Sequence, residues 1–251
     1  MATRPPSLSG TIKVVGSTSM YPFCTELASN FSKIFPDTVV LVTSADSALG
    51  LKTVREGTAT IGMISRVLTP EEIGSGLRGY VIAHDGVVIV VHNDNAVTDL
   101  TGQQIRDIFN GNITSWKDVG GSDADITVVT REEGSGTRKT FEELVMGRDD
   151  RYHSTMTTQT VGDMIKVVAE DKNAIGYISY SALNGSVKAL TIDGVAPSVA
   201  SIQDKSYFLQ RPFMLVTMGE TTNPVARAYI EYSLSPEGQD ILAAGKLVTV
   251  R

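Results

Sequence analysis

The chain has 251 residues, of which 41% are hydrophobic and 20% charged, enough for one large or two medium cores with no compositional sign of disorder, so a compact soluble protein is expected. A net charge of -6 supplies no basic patch to displace counterions, which argues against nucleic acid or an anionic membrane as partner while leaving a small, cleft-bound anion open. The single cysteine, Cys24, rules out an intrachain disulfide and paired-cysteine zinc sites, and the three histidines, His84, His92 and His153, lack metal-ligand spacing and read as surface or strand-end residues.

Residues 1–6 hold no apolar signal core, residues 3–9 read as a linker, and no window approaches the roughly 18 apolar residues a membrane helix needs. Residues 11–15 predict a strand ending in Gly16-Ser17-Thr18-Ser19. A helix follows with Phe23, Leu27, Phe31 and Ile34 as its buried stripe, Pro22 in its first turn and Pro36 closing it. The β-branched run 38–43 is a second strand, after which Ser44-Ala45-Asp46-Ser47 opens a helix carrying Leu51 and Val54. Residues 59–64 form a third strand with Ser65 and Arg66 at its carboxyl end. Strands that finish in hydroxyl-rich turns match open parallel sheets, which bind ligands beyond the carboxyl ends of their strands.

Residues 86–92 predict a buried strand and the first crossing between domains. Thr101-Gly102-Gln103-Gln104 resembles a capping box before a helix burying Ile105, Ile108 and Phe109. In the loop that follows, Trp116 is expected to pack the loop onto its domain.

Residues 126–129 are a strand leading into Arg131-Glu132-Glu133-Gly134-Ser135-Gly136-Thr137-Arg138, and then a helix with Phe141, Leu144 and Val145 on its buried face, stopped at Gly147. Such a turn is a candidate anion socket: helix-start amides lack intrahelical partners, Ser135 and Thr137 add hydroxyl donors, and Arg131 adds a forked permanent charge. An ordinary connection whose Ser or Thr caps the helix reads from the same residues. The turn lacks the Lys-Ser/Thr ending of a nucleotide P-loop, so nucleotide is disfavoured.

Residues 156–161 are read as extended, followed by a helix over 163–172 with Met164, Ile165 and Val168 inward. Strands are expected at 174–179 and 188–192. In the apolar run 208–218, Arg211-Pro212 argues against a regular strand and for a bend between domains. Helices around 226–234 and 239–244 precede a closing segment, 247–250, expected against the first domain. The alternation of strand and helix gives an α/β class.

The string Arg131-Glu132-Glu133-Gly134-Ser135-Gly136-Thr137 is similar to the Arg-x-x-Gly-Ser-Gly-Thr loop of the PstS-like phosphate-binding receptors of ABC phosphate importers. Ile108-Phe109-Asn110-Gly111-Asn112-Ile113-Thr114-Ser115-Trp116 resembles that family's Ile-Phe-x-Gly-x-Ile-x-x-Trp segment, and the weaker elements follow in order over nearly the whole chain. The resemblance implies a two-domain periplasmic binding protein (type II) fold with a two-strand hinge and an interdomain ligand cleft. Residues 1–88 plus 213–251 would form domain 1, and 89–212 domain 2. By the same resemblance, Thr18, Ser19, the Met20 amide, Ser47 and Ser65 from one domain, and Arg131, Gly134, Ser135, Gly136 and Thr137 from the other, would hold inorganic phosphate.

Some members place an Asp where Ser65 stands, to accept the phosphate's proton. Here Ser65 precedes Arg66, which reads either as an anion contact or as a tie between the domains, and Asp46 is the carboxylate to consider as discriminator, with helix capping its alternative. The resemblance further implies an extracytoplasmic location (periplasmic, or lipid-anchored in a Gram-positive cell), permease subunits of an ABC transporter as partners, a monomer, no cofactor, no metal and no catalysis. A receptor for sulfate or molybdate, or a phosphate sensor or scavenger without a transporter, is the alternative.

Overall fold

The computed structural model describes residues 8–147 and 152–250 and contains two compact units. One comprises the chain up to His84 and from Pro212 onward; the other is Asp85–Arg211. Most of the linker expected at 3–9 lies outside the described residues.

The first unit begins with β1 (Gly10–Ser17), α1 (Tyr21–Ile34), β2 (Thr38–Ala45), α2 (Ser47–Arg55), β3 (Ile61–Ile64), α3 (Pro70–Gly74) and the first part of β4 (Leu77–Val91). The second unit holds the rest of β4, then β5 (Asp99–Leu100), α4 (Gly102–Phe109), β6 (Thr127–Arg131), α5 (Gly136–Phe141), β7 (Met156–Thr158), α6 (Val161–Glu170), β8 (Ala174–Ser179), β9 (Lys188–Ala189), β10 (Thr191–Ile192) and α7 (Val199–Gln203). The strand β11 (Gln210–Met218) returns the chain to the first unit, which α8 (Pro224–Leu234), α9 (Pro236–Ala244) and β12 (Val248–Thr249) complete.

In the first unit β1 lies between β2 and β3, all parallel, with Gly16 opposite both Ser44 and Met63. β11 runs antiparallel to β3, pairing Met214 with Ile64, and β12 pairs Val248 with His84 of β4. One apolar cluster packs Phe23, Leu27 and Phe31 of α1 against Ile12, Val14, Phe213 and Tyr229, and a second packs Leu51 and Val54 of α2 against Ile64 and Val216. Both faces of the sheet are thus covered, as a parallel sheet requires. Cys24 is fully buried, and burial pushes its thiol up to about 12, which makes it a packing residue rather than a nucleophile.

In the second unit β6 lies parallel to both β7 and β8, and β8 pairs antiparallel with β4. Phe141 stacks on Tyr177 at 4.4 Å and packs on Phe109 at 4.6 Å, fixing α5 against β8 and α4. Trp116 is 1% exposed and donates its indole N–H to the Asn173 carbonyl at 2.9 Å, the packing role read for it in the sequence.

Several local expectations are corrected. Leu144 is exposed and Met146 buried, because after Phe141 the helix widens into a π turn over Glu142–Met146, which shifts the buried face by a residue. Ile34 is exposed at the end of α1, and the next residue, Phe35, makes the contact with Phe31 instead, at 4.8 Å between rings. Ile165 is only half-buried, since α6 starts at Val161 behind the Thr160 cap and turns Val161, Met164 and Val168 inward. The segment 188–192 is two short strands with different partners, β4 and β5. Pro212 does not interrupt β11. It lies two residues before the first pairing with β3, at Met214, so its missing amide takes nothing from that ladder.

Candidate functional site

The parallel register of β1, β2 and β3 brings three strand ends to one edge of the first unit. Their approach is close. A Cβ on Gly16 would lie 2.3 Å from the Met63 carbonyl oxygen, and one on Gly50 would lie 2.8 Å from that of Val15, so only glycine lets α2 settle onto β1 and β3 here. Ser17, Ser19, Met20, Ser47 and Ser65 are buried at this edge and Thr18 is half-buried. The Ser65 amide donates to Ser47 Oγ at 3.3 Å, which brings those two turns together.

Three of the residues singled out at this edge have partners of their own. The Met20 amide, expected to face the anion, donates to the Ser17 carbonyl at 3.0 Å and so closes its own turn. Asp46 is the cap of α2: its Oδ1 accepts from the Leu49 amide at 2.6 Å. Arg66 forks its guanidinium onto Glu72, with both oxygens at 2.7 Å, and donates to the Val67 carbonyl. Glu72 also completes the capping box of α3 through the Thr69 amide.

That pairing has a pH signature. Burial pushes the Glu72 carboxyl up, but the Arg66 hydrogen bonds, the Thr69 amide and the arginine charges outweigh it and hold the group below its ordinary value of 4.5. A depressed carboxylate contributes stability that is complete above the unfolded value and lost as pH falls through the folded one. Denaturation midpoints measured between about pH 3 and 6 are expected to fall less steeply in Glu72→Gln than in the native chain. An identical acid limb would show that the pair contributes nothing.

In the second unit β6 ends at Arg131, and Ser135 caps α5 by accepting the Arg138 amide at 3.3 Å. The capping alternative is thus real, but a hydroxyl that accepts at its oxygen keeps a hydrogen to donate. Gly136 and Thr137 open α5 and are buried, at the turn of the helix whose amides lack intrahelical acceptors. Arg131 is 2% exposed, and its fork is met by Glu132, at 2.9 Å from Nε and 2.8 Å from Nη2, with a further bond from Nη2 to the Gln159 carbonyl at 3.0 Å. Its amide donates to the Tyr177 hydroxyl at 3.2 Å, which also bonds Thr130 Oγ1 at 2.7 Å, and this pins the end of β6 to β8. Arg138 reaches back to the loop start, its Nη1 donating to the Arg131 carbonyl at 3.0 Å, while its Nε bonds Glu142 at 2.7 Å and its guanidinium lies over the Tyr152 ring at 5.0 Å.

Two further residues of this unit escaped sequence reasoning. Asp85 and Arg211 form an ion pair whose side chains are 0% and 1% exposed, with Oδ2 accepting from Nε at 3.2 Å and from Nη2 at 3.0 Å. Burial pushes the Asp85 carboxyl up, against the pull of Arg211 and of the Ser179 hydroxyl. Arg211 Nη1 donates to Thr137 Oγ1 at 2.5 Å, which attaches the pair to the glycine turn. The available signal was the charge itself: an arginine inside the apolar run 208–218 needs a buried partner. Each buried cation of the turn therefore has its own carboxylate, so attraction for an anion comes from directed donors rather than from surplus charge.

Among the described residues no group of three or more His, Cys, Asp or Glu could hold a metal, and no helix is long and apolar enough to cross a membrane.

The family profile described as the PBP superfamily domain matches residues 2–237. The phosphate-binding protein PstS of Bacillus subtilis is 32% identical over 235 residues, covering 92% of this chain and 77% of that one. The chain belongs to this family. Among solved structures, a phosphate ABC transporter substrate-binding protein with bound phosphate from Clostridium perfringens is 39% identical, with a TM-score of 0.93 and coverage of 96% of this chain and 100% of that one. An ABC-type phosphate transport receptor from Vibrio cholerae is 32% identical, with a TM-score of 0.81 over 95% of this chain and 99% of that one. The fold is accordingly that of the family, the two-lobe periplasmic binding protein, with β4 and β11 carrying the chain between its lobes.

Proposed function

We propose that this chain is an extracytoplasmic receptor that binds inorganic phosphate and delivers it to the permease subunits of an ABC importer. The observation that carries the reading is the Arg131 turn, where a buried guanidinium, the hydroxyls of Ser135 and Thr137 and the opening amides of α5 are all held by one short loop. The printed names of the relatives in Bacillus subtilis, Clostridium perfringens and Vibrio cholerae support phosphate as ligand. In the second unit the residues assigned to phosphate are Arg131, Gly134, Ser135, Gly136 and Thr137; in the first they are Thr18, Ser19, Ser47 and Ser65. Met20 is set aside because its amide serves its own turn. The chain acts as a monomeric carrier rather than a catalyst: its relatives are named as binding proteins, and the buried polar groups of the turn are paired for donating to an anion rather than for moving protons.

Calorimetric titration of ligand-stripped protein with phosphate, sulfate, arsenate and molybdate tests this. Phosphate and its near-isostere arsenate are expected to bind far more tightly than sulfate. Tighter binding of sulfate or molybdate would reassign the receptor to that oxyanion, an outcome to which Ser65, in the place of a proton-accepting carboxylate, gives weight.

A further inference from the structure

The Thr137 hydroxyl has one hydrogen to give and lone pairs to receive, so by itself it can meet either a bare phosphate oxygen or a protonated one. Arg211 narrows that choice, taking one of the two lone pairs and turning the hydroxyl hydrogen away from itself. A guanidinium has five donors and no acceptor, so its bond to Thr137 Oγ1 has only one direction. Arg211 is in turn immobilised: Nε and Nη2 are held by Asp85, and Asp85 is held by the Ser179 hydroxyl at 2.7 Å and the Ser181 amide at 3.3 Å. The result is a buried, directional relay from β8 through β4 and β11 to the first turn of α5. A hydroxyl that accepts a charge-assisted bond is also polarised into a stronger donor.

We propose that Arg211 is a positioning residue for anion binding: by occupying an acceptor position of Thr137, it turns the Thr137 hydroxyl hydrogen away from itself and toward the bound phosphate. The inference rests on the reading of Thr137 as a phosphate ligand and adds a specificity role. With its hydrogen aimed at the ligand, Thr137 favours an unprotonated oxygen of the anion.

The test is a double-mutant cycle on phosphate affinity, measured by calorimetry on ligand-stripped protein. Thr137→Val is expected to weaken phosphate binding about 10–100-fold, the range for one hydrogen bond to a charged group. Arg211→Met combined with Asp85→Asn removes the guanidinium without leaving a buried charge unpaired. It is expected to weaken binding markedly in the native background and to add little in the Thr137→Val background. Thermal melting of the ligand-free variants checks folding, and Asp85→Asn alone, which loosens the anchor but keeps the cation, is read through the same cycle if the double replacement fails to fold.

Equal losses in both backgrounds would overturn the proposal, because Arg211 would then act through charge rather than through the hydroxyl. Unchanged affinity in the native background would overturn it as well. Native protein that fails to bind phosphate would instead overturn the function proposed above, which keeps the two failures apart.

Discussion

Asp85→Ala is expected to cost the second unit about 3–5 kcal/mol of stability, the range for removing one partner of a buried ion pair. The cause is the group left behind. Arg211 is 2% exposed as a residue, and its Nε and Nη2 both lie on the carboxylate that the substitution deletes, at a depth where solvent does not replace it. The Ser179 hydroxyl and the Ser181 amide lose their acceptor in the same step. Asp85→Asn keeps the shape and one acceptor oxygen and is expected to lose less. Replacing both partners by apolar residues of similar size should restore much of the loss, since it leaves no orphaned charge. Urea denaturation of ligand-free protein measures all three. A loss below about 1 kcal/mol for Asp85→Ala would show the pair to be solvated, like a surface salt bridge.

This pair also marks where sequence reasoning stopped. Elements were legible because they are written in local periods: the stripe Phe23, Leu27, Phe31 gives α1, and the Thr101 capping box gives the start of α4 as the structure has it. The run from β1 to β3 in the first unit could be placed on the same grounds, whereas α3 and the first part of β4 were not read. What failed locally failed for backbone reasons. No residue type announces the π turn that exposes Leu144, and a proline reads as a break even where, as at Pro212, the strand continues through it.

The charged residues of the site were legible as types but not as pairs. Arg131, Arg66 and Asp46 each stood out beside a turn, yet their partners are Glu132, Glu72 and the Leu49 amide. Those partners lie within six residues, so the pairs were within reach of sequence. The two arginine pairs were missed because a fork onto a neighbour and a fork onto a ligand require the same side chain, whereas the Asp46 cap was read as an alternative. Asp85 and Arg211 are 126 residues apart, and only the pairing of tertiary neighbours could join them.

Arg131→Ala is expected to weaken phosphate binding by about 2–5 kcal/mol, roughly 30-fold to several thousand-fold, the range for truncating one member of a buried, hydrogen-bonded charge pair at a binding surface. The structure divides this loss into two parts. One is the missing donor, on the reading that the guanidinium faces the anion. The other is Glu132, whose carboxylate forks onto Arg131 in the native chain and would lose that cation while remaining beside the socket. Arg131→Lys should recover only part, because an ammonium has no fork to hold Glu132 and face the ligand together. The two parts separate in Arg131→Ala/Glu132→Gln: if repulsion by Glu132 dominates, the double variant binds more tightly than Arg131→Ala alone, and if the lost donor dominates, the two bind alike. Calorimetry at two ionic strengths sharpens the distinction, since screening weakens repulsion between charges that solvent can reach and leaves a missing hydrogen bond unchanged. Native affinity in Arg131→Ala would remove Arg131 from the binding site and leave it the structural partner of Glu132 and of the Gln159 carbonyl.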